Sequence, residues 1–411
     1  MDNGDSASAF KLDASHDLLR EVVEKVCAEF AGGAVGLGDG DWRRQIWHTL
    51  AELDVLGAPL PSAAHGGGGG PIELMVIMHA IGKHLAAVPY VSTIVCAGQL
   101  LAGVGSAAQI DDLLSRIIAG QHTVAFCALE EGDRGQVTRI ATRAVPCGGG
   151  YRITGRKSAV LAADQCDSLL VVAELTDAPG RHGAFFVDPD AAGVVCEHRR
   201  TIDGLTAAEI SLTHVFVDGD SSLAPAEGIS EQLEAVYDLA VVGLCAEACG
   251  SIEAVFESTV EYVKTREQFG QPLGRFQVVR HRIVDMAARL ELATAITHWA
   301  AASFDLSTST RRRAVAAAKA YVGRAARNVA QSAVQLHGAI GTTNELALTR
   351  HLRRIEVINT QFGAPHDHVR RYLDVFETTP LSFRADERVT IGCGVHTTVD
   401  ATVNQRGYGL T

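Results

Sequence analysis

The apolar residues of this chain repeat with two different periods, and the period changes twice. From about Leu12 to Gly120 they recur every three or four positions, as in Leu18-Leu19-Val22-Val23-Val26 and Leu74-Ile77-Met78-Ile81, which predicts a helical first third. Between His122 and about Val217 the pattern shortens to runs rich in Val, Ile, Phe and Thr, among them HTVAFCALE, SLLVVAEL and AEISLTHVFV. Glycines and aspartates separate these runs at the intervals of an antiparallel sheet. After Pro225 the helical period returns and holds to about Glu377, with long segments at Ser230 to Phe269, Phe276 to Phe304 and Arg311 to His337. The last two are almost wholly Ala, Val and Leu on one side, and such small residues let helices pack closely within a bundle or between subunits. The pattern predicts an α+β fold with an N-terminal helical domain (1–120), a middle antiparallel β domain (121–225), a C-terminal four-helix bundle (226–377) and an irregular tail (378–411).

Two stretches interrupt the helical third. The run His65 through Gly70 offers five glycines but no Gly-Lys-Ser/Thr and no preceding strand, so it predicts a flexible connection before Pro71 rather than a phosphate loop. Pro89 to Ile110 is uncharged and reaches the length of a membrane span. It carries Ser92, Thr93, Gln99, Ser106 and three glycines, however, and predicts a buried helix. The N-terminal MDNGDSASAF is polar and acidic, unlike a signal or transit peptide.

Composition narrows the function. With 47% hydrophobic and 20% charged residues the chain is an ordinary folded protein, and its 411 residues suffice for two or three domains. A formal charge of −12 argues against nucleic acid as a partner. The nine cysteines include no Cys-x-x-Cys pair, which fits reduced thiols in a cytoplasmic protein. Cys245 and Cys249 share a helical face and are read as packing, and no metal is expected. His366 and His368 flank Asp367, but in a helix they diverge by about 200° and lack a third ligand, so they are read as surface residues opening a helix.

The joints between the long helices carry the most specific signals. Thr265-Arg266-Glu267-Gln268-Phe269-Gly270-Gln271-Pro272-Leu273-Gly274-Arg275-Phe276-Gln277 closes the first and opens the second, and Gln335-Leu336-His337-Gly338-Ala339-Ile340-Gly341 closes the third. An arginine at a helix end suits a pyrophosphate, being bidentate and always charged, and Gly338 and Gly341 let backbone N–H groups come close to a phosphate or an adenosine. Together these motifs resemble the acyl-CoA dehydrogenase family, over about residues 10 to 377. The resemblance implies the helical, β, helical-bundle order, an acyl-CoA substrate, and FAD bound across a subunit interface of a dimer or tetramer. It implicates Arg266, Phe269, Gln277, Gln335 and Gly338 in cofactor binding.

The same resemblance exposes what is missing. The family reaction removes the α proton of an acyl thioester with a carboxylate, and general-base catalysis of this kind contributes about 10² to 10⁴ in rate. Many members carry that base as a glutamate before a glycine in the turn between the last two helices. Here that position is Phe362, followed by Gly363. Relatives that place the base on the long helix do so at the position that is Ala240 here, and nearby Asp238 lies about 200° around the helix, a weak candidate. In the second strand, Lys157-Ser158-Ala159-Val160-Leu161 lacks the aromatic and hydroxyl residues that usually meet the flavin ring. Leu129-Glu130-Glu131-Gly132-Asp133 is only loosely similar to the family's turn in the earlier strand, and Ala339 replaces a usual glycine.

Groups for the ADP half of a neighbour's FAD are therefore kept while those for the chain's own flavin ring and base are lost. The pattern resembles one subunit type of the heteromeric acyl-CoA dehydrogenases of actinobacterial steroid side-chain degradation, in which a second family chain supplies the glutamate. The alternatives are a self-sufficient dehydrogenase with a relocated base, a flavin-dependent monooxygenase on the same fold, and a structural or assembly protein that has lost cofactor binding. The arginines Arg350, Arg353, Arg354, Arg370 and Arg371 are expected at a phosphate, a subunit face or solvent. No membrane association is expected.

Overall fold

In the computed structural model, which describes residues 12–31, 41–132, 140–343 and 345–378, the chain runs from helices through a sheet to a second set of helices. The N-terminal decapeptide, Asp133 and the tail after Thr378 lie outside the described residues. The first set comprises α1 (Ala14–Ala31), α2 (Asp41–Glu52), α3 (Pro71–His84), α4 (Gln99–Val104), α5 (Ala107–Gln109) and α6 (Ser115–Ile118). The uncharged run after Pro89 is helical and buried, entering α4 through a turn of π-helix at Val91–Gly98.

The five glycines before α3 form an ordered loop, not the flexible connection expected. Backbone N–H groups of Gly66, Gly67, Gly68 and Gly69 bond to carbonyls of Pro61, Gly57, Leu60 and Ala58, and a Cβ on Gly66 would collide with the Leu60 carbonyl. Glycine is used here because backbone packs directly on backbone.

The strands are β1 (Val124–Cys127), β2 (Arg143–Cys147), β3 (Gly150–Leu161), β4 (Ser168–Leu175), β5 (His182–Val187), β6 (Val194–Arg200), β7 (Thr206–Asp218) and β8 (Ser222–Leu223). They form one sheet in the order β6-β7-β3-β2-β4-β5-β8, with β1 also against β4. The sheet is mixed rather than antiparallel, because β4 pairs in parallel with both β1 and β2. Its sequence SLLVVAEL is buried at seven of eight positions, as a strand covered on both faces must be.

The second set of helices begins with α7 (Ser230–Thr265), followed by the hairpin β9 (Glu267–Gln268) and β10 (Gln271–Pro272), then α8 (Gln277–Ala302), α9 (Thr308–His337), α10 (Ala347–Ile358) and α11 (Pro365–Thr378). Helix α7 is long and apolar enough to cross a membrane, yet its apolar window is 83% buried within the protein, so it is the central core helix. Helix α3 lies against it through glycines. A Cβ on Gly82 would meet the Glu247 backbone, one on Gly250 would meet the His79 carbonyl, and Ser251 Oγ donates to Gly82 O at 3.1 Å. The two helical sets consequently share one continuous core, while one face of the sheet builds a second core around Val171, Phe185 and Ile210.

Candidate functional site

The α10–α11 turn, Asn359 to Ala364, is fixed from four sides. Lys319 Nζ of α9 donates to Ile358 O at 2.6 Å, and Asn359 Nδ2 donates to Gly323 O at 3.1 Å. The Phe362 carbonyl accepts from both the Tyr237 hydroxyl and His368 Nε2, the latter at 2.8 Å. Asp367 Oδ2 accepts from the Ala364 N–H at 3.0 Å, capping α11. Phe362 and Gly363 both take positive φ, 52° and 92°, so the chain reverses through two left-handed residues. The Phe362 ring is 8% exposed and packs 5.5 Å from the Tyr237 ring. Burial pushes the Lys319 amine down to about 8 and the His368 imidazole down to about 3, so His368 is neutral with its proton on Nε2. His368 is thus an internal clamp, correcting its reading as a surface residue. His366 does remain exposed.

Two carboxylate clusters flank this turn. Asp238, with 0% exposure, bridges Arg311 Nε at 3.0 Å and Arg371 at 2.6 Å, tying α7 to α9 and α11. The Arg371 guanidinium also lies 4.8 Å over the Tyr237 ring. Ala240, two residues on, is buried. About two helical turns further along α7, Glu247 takes Arg354 of α10 in a two-pronged pair at 2.5 and 3.0 Å. Arg354 also reaches Asp203 in the β6–β7 turn at 3.0 Å. Burial opposes the Arg354 charge, and Glu247 with Asp203 more than offsets it, so its pKa lies above the ordinary value. The five arginines thus do not share one face, since Arg354 and Arg371 point inward to carboxylates.

Between α2, the segment after α3, the turns following β3 and β6, α7 and α10 lies a cavity of about 460 Å³. Leu161, Glu247, Arg354 and Gln361 line it. On its β side, Ala159 sits in a bulge of β3 at φ 51°, where the register with β7 shifts between Lys157 and Val160. Lys157, fully buried, donates to Glu130 at 2.6 Å, which joins two of the loosely matching segments. Burial works against the Glu130 charge, but Lys157 and the Thr142 hydrogen bonds hold its pKa below the usual value.

The five residues implicated in cofactor binding gather at the far ends of α7, α8 and α9. Tyr262 stacks on His337 at 4.3 Å and its hydroxyl donates to His337 O at 3.3 Å, setting the α7 and α9 ends side by side. Arg266 caps α7 and is exposed, and Phe269 projects from the β9–β10 turn, 89% exposed, 6.0 Å edge-on from Phe276. Gln277 and Gln335 are exposed, and Gly338 has φ 68° with open space where a Cβ would stand. An exposed guanidinium, an exposed aromatic ring and an open glycine turn are groups that can meet the diphosphate and adenosine of a dinucleotide. Among the described residues no three His, Cys, Asp or Glu side chains group as metal ligands. Cys245 and Cys249 are buried, their thiol pKa values pushed up by burial to about 11 and about 12.

A helical layer, a β sheet and a helical bundle in this order make up the architecture of an acyl-CoA dehydrogenase fold. The profile of the acyl-CoA dehydrogenase N-terminal domain matches residues 13–121, and that of its C-terminal domain matches 232–366. The chain belongs to the acyl-CoA dehydrogenase family and is an FAD-dependent oxidoreductase by that membership. It is similar to the caffeyl-CoA reductase–Etf complex subunit CarC of Acetobacterium woodii, 27% identical over 79% of this chain and 87% of that one. Among solved structures it resembles a variant of the Tcur3481-Tcur3483 steroid ACAD, with a TM-score of 0.78 and 29% identity over 89% of this chain and 98% of that one. Butyryl-CoA dehydrogenase of Megasphaera elsdenii shares the fold, with a TM-score of 0.81 and 21% identity over 90% of this chain and all (100%) of that one.

Sequence reasoning missed Gln361, Trp47 and the Glu247–Arg354–Asp203 cluster. Gln361 adjoins Phe362 in the motif turn, so its position was in view. Nothing in the spacing of Trp47 or of the three charged residues signals that they meet.

Proposed function

We propose that this chain is one subunit of a two-chain acyl-CoA dehydrogenase, in which it completes FAD sites for a second family member and does not itself take the substrate's α proton. The observation that carries this reading is Phe362. A mostly buried phenyl ring occupies the turn where a family member would present its carboxylate, on a backbone anchored by Tyr237 and His368. Asp238 offers no substitute, being enclosed by two arginines. Arg266, Phe269, Gln277, Gln335 and Gly338 serve the ADP half, and bound FAD supplies the hydride acceptor.

The surface beside them supports a partner. Phe269, Val278, Leu292 and Trp299 are all more than half exposed, and the last three recur at multiples of seven along α8 as a single apolar stripe. Similarity to the steroid ACAD supports a bulky acyl group on the CoA thioester, and the reading places the complex in the cytoplasm as a dimer or tetramer. The test is to purify the chain alone and with a second family member encoded beside it, recording flavin absorbance and acyl-CoA dehydrogenase activity. Colour and turnover in the mixture alone support the reading. A yellow, active lone chain overturns it.

A further inference from the structure

A second cavity, of about 360 Å³, lies between α1, α3, α7 and α8. It shares no lining residue with the larger cavity that borders α10. Helix α7 itself divides the two, since Glu247 lines one and Cys249 the other, about 200° round the axis. Small side chains open the space. Ala246 and Cys249 of α7 line it together with Thr294 and Thr297 of α8, and Cys249 Sγ meets Thr297 Oγ1 at 3.5 Å. The larger Met75, Phe256 and Leu290 supply the apolar part of the wall, and the volume is that of a small-molecule site.

The charged groups of the lining do not cancel. Glu253 accepts from His79 Nε2 at 2.8 Å and from Lys83 Nζ at 2.8 Å, and these two bonds hold its carboxyl down to about 2 against burial. Glu257 shares the same lysine at 3.4 Å. Arg20 is taken by Asp17 at 2.5 Å. Burial keeps the His298 imidazole below its usual value, so it adds no charge at pH 7. Glu291, exposed on α8, has no partner among the described residues. Even with His79 counted as a cation, the carboxylates Asp17, Glu253, Glu257 and Glu291 outnumber the positive groups that face them by one.

That surplus opposes an anion. A bare metal ion does not fit either, because no three His, Cys, Asp or Glu side chains among the described residues group as metal ligands. A cation with a hydrocarbon body meets both halves of the wall. Glu291 and Thr294, three positions apart on one face of α8, offer a carboxylate and a hydroxyl oxygen as acceptors, which a primary ammonium can use and a quaternary one cannot. The geometry points to a binding site for a compact primary amine in its ammonium form, with its body against Met75, Phe256 and Leu290 and its head at Glu291 and Thr294. The site is separate from the turn at Phe362 and does not depend on which chain supplies the base.

The experiment uses the full chain, alone and with its partner, and titrates cyclohexanemethylamine, cyclohexanemethanol and cyclohexanecarboxylate at pH 7 by calorimetry and by saturation-transfer NMR. The amine is expected to bind most tightly and the carboxylate least. Glu291→Gln, a change at an exposed side chain, should weaken the amine about threefold to tenfold and leave the alcohol unchanged. Thr294→Leu, which fills the space, should remove binding of both. Absence of saturable binding, meaning a cavity that holds water only, overturns the proposal. So does binding of the alcohol or the carboxylate as tight as that of the amine, or amine binding that Glu291→Gln leaves unaltered.

Discussion

Replacing Asp238 by Asn separates a structural role from a catalytic one. The wild-type carboxylate, fully buried, accepts from Arg311 at 3.0 Å and from Arg371 at 2.6 Å. Asparagine keeps the shape but only one oxygen, so one guanidinium loses its partner, at about 1.5–3 kcal/mol for a hydrogen bond to a charged group. The two arginines then face each other with no anion between them, in surroundings where the Arg311 and Arg371 side chains are only 12% and 20% exposed. Breaking a buried ion pair by removing one member costs about 3–5 kcal/mol, and the two contributions together lie in that range. For a helical unit of this size 1 kcal/mol corresponds to about 2–4 °C, so Asp238→Asn should lower Tm by roughly 10 °C in differential scanning fluorimetry. Turnover of the folded complex should persist below that temperature. A variant melting within about a degree of wild type refutes the energetic argument, and one that keeps its Tm while the complex loses all turnover makes Asp238 the base.

Arg266→Ala should weaken FAD retention by the complex, read as flavin absorbance after gel filtration, while leaving Tm of the lone chain unchanged because the side chain is exposed. Acid should destabilise the fold through His368: its folded pKa of about 3 lies below the unfolded value of 6.5, so the stability of the neutral buried form is present above about pH 6.5 and lost as pH falls towards 3. His368→Gln, which can still donate to the Phe362 carbonyl, should flatten that part of the profile in urea melts taken between pH 6.5 and 4. Gly66→Ala should cost several kcal/mol in the same melts, because its methyl group meets the Leu60 backbone rather than a movable side chain.

The order of helices, sheet and helices was legible because apolar period reports secondary structure directly, and α7, α8 and α9 begin and end within a few residues of the segments read from it. Strand pairing was not. The unbroken apolar run of β4 carried a sign of two-sided burial, but composition cannot tell which neighbours lie beside a strand or in which direction. The glycine run misled for a related reason, since glycine permits both looseness and very close packing, and only the Leu60 and Ala58 backbones decide between them. At the site, Phe362 stood out because a motif framed it. Arg354, Glu247 and Asp203 come from three distant segments, separated in sequence by 107 and 151 positions from Arg354, and each alone reads as a solvated charge.

The α10–α11 turn takes its shape from its carbonyls. Ile358 O and Phe362 O are held by Lys319, Tyr237 and His368, and none of those bonds involves the side chain at position 362. The turn is in effect a socket whose fitting can be exchanged. On the proposed two-chain reading, one codon there separates a chain that performs the proton transfer from one that has handed it over, and neither has to fold differently.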